Sequence, residues 1–159
     1  MMRAKQSWKW LAVGVAVLFV ACSTTSEYES DYQPYEPLVD EGAGNTIRHT
    51  IGNPAVRDLW GQAEDARRNG DLDVAELFLE RALRIEPNDA HIWSRLAEVH
   101  LRQLNANQAE NLAAKSNTLS VENATLNYRN WLIISEARKL KGDDIGAQEA
   151  LYTANSFKP

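Results

Sequence analysis

The side chain with the most distinctive chemistry is Cys22, the single cysteine in a chain of 159 residues. One thiol cannot close an internal disulfide and cannot build a multi-cysteine zinc site. The three histidines, His49, His91 and His100, are dispersed. His91 and His100 lie nine residues apart on one helical stretch, so their rings face different directions, and neither a metal nor a cofactor is expected. Signatures of catalysis are missing too: there is no nucleophile elbow, phosphate-binding loop or metal-ligand spacing. The scattered carboxylates read as solvation of helix surfaces, and the expected protein is not an enzyme.

Cys22 therefore matters for where it stands. Met1 to Trp10 is basic, and Leu11 to Ala21 is an unbroken run of small and apolar residues. That run makes a helix of roughly 16 Å at ~1.5 Å per residue, about half of a ~30 Å hydrocarbon core. Residues 1–21 thus read as an export signal rather than a membrane span. Leu18-Phe19-Val20-Ala21-Cys22 resembles the lipobox of bacterial lipoproteins. The resemblance implies that Cys22 is the lipidated first residue of the mature protein. Ser23, in place of an aspartate, then implies the outer membrane, facing the periplasm. At ~0.8 kcal/mol per buried CH₂, two or three acyl chains make such an anchor essentially permanent.

Charge and composition divide the rest of the chain. Arg3, Lys5 and Lys9 are the only charges in residues 1–21, so the formal charge of −5 becomes −8 for a chain beginning at Cys22. That opposes nucleic-acid binding, which is driven by phosphate neutralisation. Residues 23–45 hold six acids and no base, with Pro34, Pro37, Gly42 and Gly44 among them. So little apolar surface cannot offset the entropy of ordering, and residues 22–53 read as a lipidated cysteine and acidic flexible tether. Its root-mean-square reach is roughly 30 Å and its contour near 100 Å. Tyr28, Tyr32 and Tyr35 read as incidental aromatics of a solvated tether, ahead of a short partner-binding motif. Thr46 to Ile51 could lie against the first helix.

From Pro54 to Pro159 the chain repeats itself. Gly70-Asp71 and Gly142-Asp143 each stand five residues before an alanine, Ala75 and Ala147. Apolar residues around these pairs recur at spacings of three and four, as in Leu59, Ala63 and Ala66, then Ala75, Leu79 and Ala82. That spacing marks one face of a helix. A further copy, carried by Trp93, Ala97, Ala109 and Ala113, is offset by 34 residues. Taking unit starts at Val56, Ala90 and Tyr128, the fourth place is Leu59, Trp93 and Trp131. The eighth is Ala63, Ala97 and Ser135, the twentieth Ala75, Ala109 and Ala147, and the twenty-seventh Ala82, Ser116 and Ala154.

These residues resemble the tetratricopeptide repeat, a helix–turn–helix unit of about 34 residues. The implied fold class is all-α, a short solenoid of about three repeats over residues 54–159, with units near 56–89, 90–127 and 128–159. Small residues at the facing places let paired helices approach to ~8–10 Å. Trp93 and Trp131 are expected in the core. Gly70 and Gly142 fit a left-handed turn, Asp71, Asn105 and Asp143 can cap the second helices, and Asn88 or Asp89 can cap the helix after Pro87. At the eleventh place, where the family favours tyrosine, stand Ala66, His100 and Arg138. Four extra residues fall between Ser116 and Tyr128.

The resemblance also implies where a partner would bind, on the first helix of each unit. The corresponding places hold Arg57, Trp60, Glu64, Arg67 and Arg68, then His91, Ser94, Glu98, Leu101 and Arg102, then Arg129, Leu132, Glu136, Lys139 and Leu140. With Arg95 added, the candidate contacts are Arg57, Trp60, Arg67, Arg68, Arg95, Arg102, Arg129, Leu132 and Lys139. This is a basic groove on an acidic protein, with Trp60 and Leu132 as apolar anchors for an acidic segment of another protein. The competing reading makes Glu64–Arg68 and Glu98–Arg102 simple i,i+4 pairs on exposed helices, worth ~0.2–0.5 kcal/mol each. No polar helix follows the third unit, although Leu132-Ile133-Ile134 is strongly apolar. Helix three docks a partner, or the chain forms a homodimer there, or the 46–51 segment covers it.

The layout of lipobox, acidic tether and short repeat domain resembles outer-membrane lipoproteins that activate class A penicillin-binding proteins, the bifunctional peptidoglycan synthases. A pilotin-like assembly lipoprotein for a type IV pilus secretin is the alternative, and three repeats count against it. A peptidoglycan-processing enzyme is disfavoured by the missing catalytic set.

Overall fold

The structure is a computed structural model that describes residues 49–158. The expected export signal, Cys22, the tyrosines of the expected tether and the 46–48 part of the segment ahead of the repeats lie outside the described residues. Among the described residues the chain forms six helices and no strand: α1 Pro54–Asn69, α2 Leu72–Ile85, α3 Ala90–Arg102, α4 Ala106–Leu119, α5 Ala124–Leu140 and α6 Asp144–Asn155. None of them is long and apolar enough to cross a membrane. They pack as antiparallel pairs, α1 with α2, α3 with α4 and α5 with α6, and each pair leans on the next.

Three equal turns build the pairs. At each, the helix ends in a left-handed residue with two backbone bonds closing behind it. Asp71 N donates to Ala66 O and Gly70 N to Arg67 O; Asn105 N to His100 O and Leu104 N to Leu101 O; Asp143 N to Arg138 O and Gly142 N to Lys139 O. This is the Schellman closure, which needs positive φ at its central residue. Gly70 and Gly142 supply it at 84° and 75°, but in the middle unit Leu104 is forced to 63°. An L-residue there is strained by roughly 1–2 kcal/mol, and the Leu104 side chain is exposed, so little packing offsets the strain. Leu104→Gly is therefore expected to stabilise the domain by about 1 kcal/mol in urea unfolding, and a lowered midpoint would contradict the strain.

Caps follow a similar pattern with two exceptions. Asn53 Oδ1 accepts from Ala55 N, with Pro54 opening α1. Asp89 caps α3, Asn123 caps α5 and Asp143 caps α6. Asp71 and Asn105, expected as caps, stand at the N-cap positions of α2 and α4 but make no capping bond through their side chains. The four extra residues of the third unit become a turn of helix: α5 opens at Ala124, four residues before Tyr128, and runs 17 residues against 13 for α3.

All nine small residues of the repeat pattern are buried between helices, Ala63, Ala97 and Ser135 at the eighth place among them. Where serine replaces alanine, its hydroxyl is used. Ser116 Oγ donates to Ala90 O at 2.7 Å, and Ser135 Oγ donates to Ala147 O at 2.9 Å. Trp93 and Trp131 are half-buried rather than fully enclosed, packed at the margins of the core, and the Trp93 indole N–H donates to Pro87 O. A tryptophan N–H needs a partner, which places the ring at an edge.

The departures at the eleventh place form the seam between units. His100 Nε2 lies 3.7 Å from Glu76 Oε1, and Arg138 Nε lies 2.8 Å from Glu110 Oε1. Three residues on, Gln103 donates to Glu76 and Asp73, and Lys141 pairs with Glu110. The ends of α3 and α5 thus reach back to α2 and α4 through the same pair of places. Burial would raise the Glu110 pKa, but bonds from Lys141 and Arg138 hold it below the usual carboxylate range.

Candidate functional site

The first helices α1, α3 and α5 form a common wall, with α3 in the middle. Packed between neighbours on both sides, α3 buries ten of its 13 residues, polar ones included. Glu98 is fully buried and sits among three guanidinium groups, each from a different helix. Arg95 and Arg129 both bond Glu98 Oε2, and Arg67 Nη1 lies 3.5 Å from Oε1. Glu64 completes the set, 2.7 Å from Arg95 Nε and 3.3 Å from Arg67 Nη2. The Arg95 guanidinium also stands 5.6 Å from the Trp60 ring centre.

Among the described residues, three arginines face two glutamates in this buried cluster. Arg129 Nε and Nη1 are buried donors that make no hydrogen bond. Burial is the largest influence on Glu98 and would raise its pKa, but Arg129, Arg95 and Arg67 outweigh it and lower the value to about 2. Burial, and the like charges of Arg129 and Arg67, pull Arg95 below its ordinary value against Glu98 and Glu64.

This arrangement corrects the reading of an open basic groove. Arg67, Arg95 and Arg129 are buried and engaged by carboxylates rather than displayed to solvent. The proposed i,i+4 pairs do not form either. Arg68 turns to Asp65, and Arg102 donates to Arg67 O at 3.1 Å, while both glutamates turn to the cluster. Burial explains the choice, since a desolvated carboxylate must take every cation within reach.

The remaining candidates spread along the wall. Arg57 is exposed and donates to Ile51 O; Trp60 and Leu132 are half-buried; Lys139 is exposed and pairs with Glu136. Of the apolar stretch in α5, Ile133 and Ile134 are buried, while the exposed apolar residues of the third unit, Ile145 and Tyr152, lie on α6. The last residues of the expected tether are packed. Ile51 is buried in the first core cluster, and the His49 ring meets Trp60 edge-on and stacks on His91. The segment before α1 is thus a strap over part of the candidate surface.

Residues 66–116 match the tetratricopeptide repeat family. A solved structure of the globular C-terminal domain of P. aeruginosa LpoP matches with a TM-score of 0.63 and 34% identity, covering 65% of this chain and 97% of that one. The chain belongs to the LpoP family. No curated protein matches the chain in sequence. In this chain the LpoP-type domain is a three-pair repeat whose central wall is an ion cluster. Sequence reasoning missed Glu64 and Glu98 as the organisers of that cluster, and His49 as a partner of His91. A signal for the first was present: Ser94, Arg95 and Glu98 belong to the middle helix of a three-unit stack, which neighbours must cover.

Proposed function

We propose that the protein is a non-catalytic adaptor, anchored by a lipid on Cys22 to the periplasmic face of the outer membrane. In this reading it binds a class A penicillin-binding protein and raises its rate of peptidoglycan synthesis. The observation that carries the reading is the likeness to the LpoP globular domain over nearly that whole domain. The Cys22 junction and the acidic residues behind it add the layout of a tethered lipoprotein.

The chemistry of the wall agrees with binding rather than catalysis. A general acid or base must titrate near the working pH, whereas Glu98 is held at about 2 by its arginines. The exposed cations of the wall, Arg57, Arg68 and Lys139, suit a carboxylate from a partner. Trp60 and Leu132, half-exposed on the same helices, offer apolar contact beside it.

The test adds the full chain, held in detergent, to a purified class A synthase and follows glycan polymerisation and cross-linking. A saturable rise in rate is expected, and an unchanged rate without complex formation would overturn the activator role. Recovery of a secretin subunit from membranes would favour the pilotin alternative instead. Arg68→Glu with Lys139→Glu removes only surface pairs, so the fold survives. Association with the synthase is expected to slow severalfold at low salt, as for rim charges generally.

A further inference from the structure

Among the described residues, one group of side chains converges as metal ligands do: His49, Asp89 and His91, whose ligand atoms all lie within 4.8 Å of one another. They come from two places. His49 belongs to the strap ahead of α1, whereas Asp89 and His91 open α3. The Asp89 carboxylate is divided between two tasks. Its Oδ1 accepts the backbone N–H of His91 at 2.9 Å and of Ile92 at 3.4 Å, which caps the helix. Its Oδ2 is left over, and His49 Nε2 stands 2.5 Å from it. Despite that approach Nε2 makes no aligned hydrogen bond, although it is buried. His91 Nδ1 lies 3.6 Å from Oδ1, and the two imidazoles stack with centres 4.6 Å apart.

Two neutral imidazoles and one carboxylate are the donor set of three-ligand zinc sites, which keep a fourth position for water. Zn–N and Zn–O distances of about 2.0–2.2 Å place neighbouring ligand atoms roughly 3.3 Å apart in a tetrahedron. His91 Nδ1 stands 3.6 Å from Oδ1, the other oxygen of the same carboxylate, and the His49 contact to Oδ2 must open by less than about 1 Å. All three side chains line a cleft of about 1000 Å³, bounded on the far side by Ser120, Glu122 and Asn123, which leaves room for the water. We propose that His49 Nε2, His91 Nδ1 and Asp89 Oδ2 bind a divalent zinc-class ion. The ion clamps the strap to the start of α3, beside Trp60.

The test uses the full chain in detergent and zinc alone, with a chromophoric chelator as competitor. One equivalent is expected to bind, and His49→Ala and His91→Ala are each expected to weaken it by at least about tenfold. Asp89→Asn, which keeps an oxygen for the cap, is expected to do the same. His100→Ala removes the only other histidine and should change nothing. Cobalt in place of zinc should give the intense visible absorption of a four-coordinate ion, and lose it in the His49 variant. In thermal melts, zinc should raise the wild-type midpoint above its value in a strong chelator, while the His49 and His91 variants should melt at the same temperature with zinc as with the chelator. No binding by the wild type, or binding that survives loss of both imidazoles, overturns the proposal. Equal weakening by His100→Ala overturns it as well.

Discussion

Replacing Glu98 by alanine is expected to destabilise the domain by about 3–5 kcal/mol, because it leaves Arg67, Arg95 and Arg129 buried around a missing counter-charge. Folded domains have only about 5–15 kcal/mol in total, so much of the variant should be unfolded at moderate urea. A combined change tests the cause. Glu98→Leu with Arg95→Met and Arg129→Met removes the three central charges and leaves Arg67 facing Glu64. Buried ion clusters replaced whole by apolar groups are often neutral or stabilising, so this triple variant should recover most of the loss. If Glu98→Ala unfolds at the wild-type midpoint, the cluster does not hold the helices together. Acid gives a second handle. The folded pKa of about 2 lies below the ordinary 4.5, so Glu98 contributes stability that is full above about pH 4.5 and fades as pH falls towards 2. The gap between wild type and Glu98→Gln should therefore narrow between neutral pH and pH 3.

Leu79→Ala and Ile133→Ala should each lower stability by about 2–5 kcal/mol, since both side chains are fully enclosed and leave cavities. The informative result is the shape of the transition. Leu79 belongs to the core cluster of the first pair, and Ile133 to that of the third. Yet α3 supplies both, giving Ile92, Leu96 and Val99 to one and Ala97 and Leu101 to the other. Neither cluster can open without exposing the same helix, so each substitution should shift one common unfolding curve. Two separable transitions in urea, read by circular dichroism and by tryptophan fluorescence, would show that the units melt independently.

The repeat was legible in the sequence because its determinants are local and small. Alanine at the eighth, twentieth and twenty-seventh places, and glycine at the tight turns, are steric requirements that spacing reveals directly. Glu98 was not legible in the same way. Within one helix spacing offers it Arg95 and Arg102, but burial between α1 and α5 also brings in Arg129 and Arg67, from 31 positions away in each direction, while Arg102 turns elsewhere. The half-enclosure of Trp93 follows from its N–H, which a spacing pattern does not weigh. His49 lies 40 residues from Asp89, in a stretch without periodicity, and only the folded strap brings them together. Asp71 and Asn105 occupy the right places but make no side-chain cap, whereas Asp143, at the equivalent turn, accepts from Gly146 N.

The strap decides where mechanical load enters the protein. Among the described residues, a pull from ahead of residue 49 is finally resisted at Ile51, whose carbonyl is held by Arg57 and whose side chain is wedged into the first cluster. The His49 contacts lie ahead of it in the line of tension and would yield first, one after another, before α1 feels any torque. Peeling them lays bare Trp60 and His91 while the repeats stay intact. Stretching between two anchored ends would thus lengthen the molecule and uncover fresh contact surface in the same stroke.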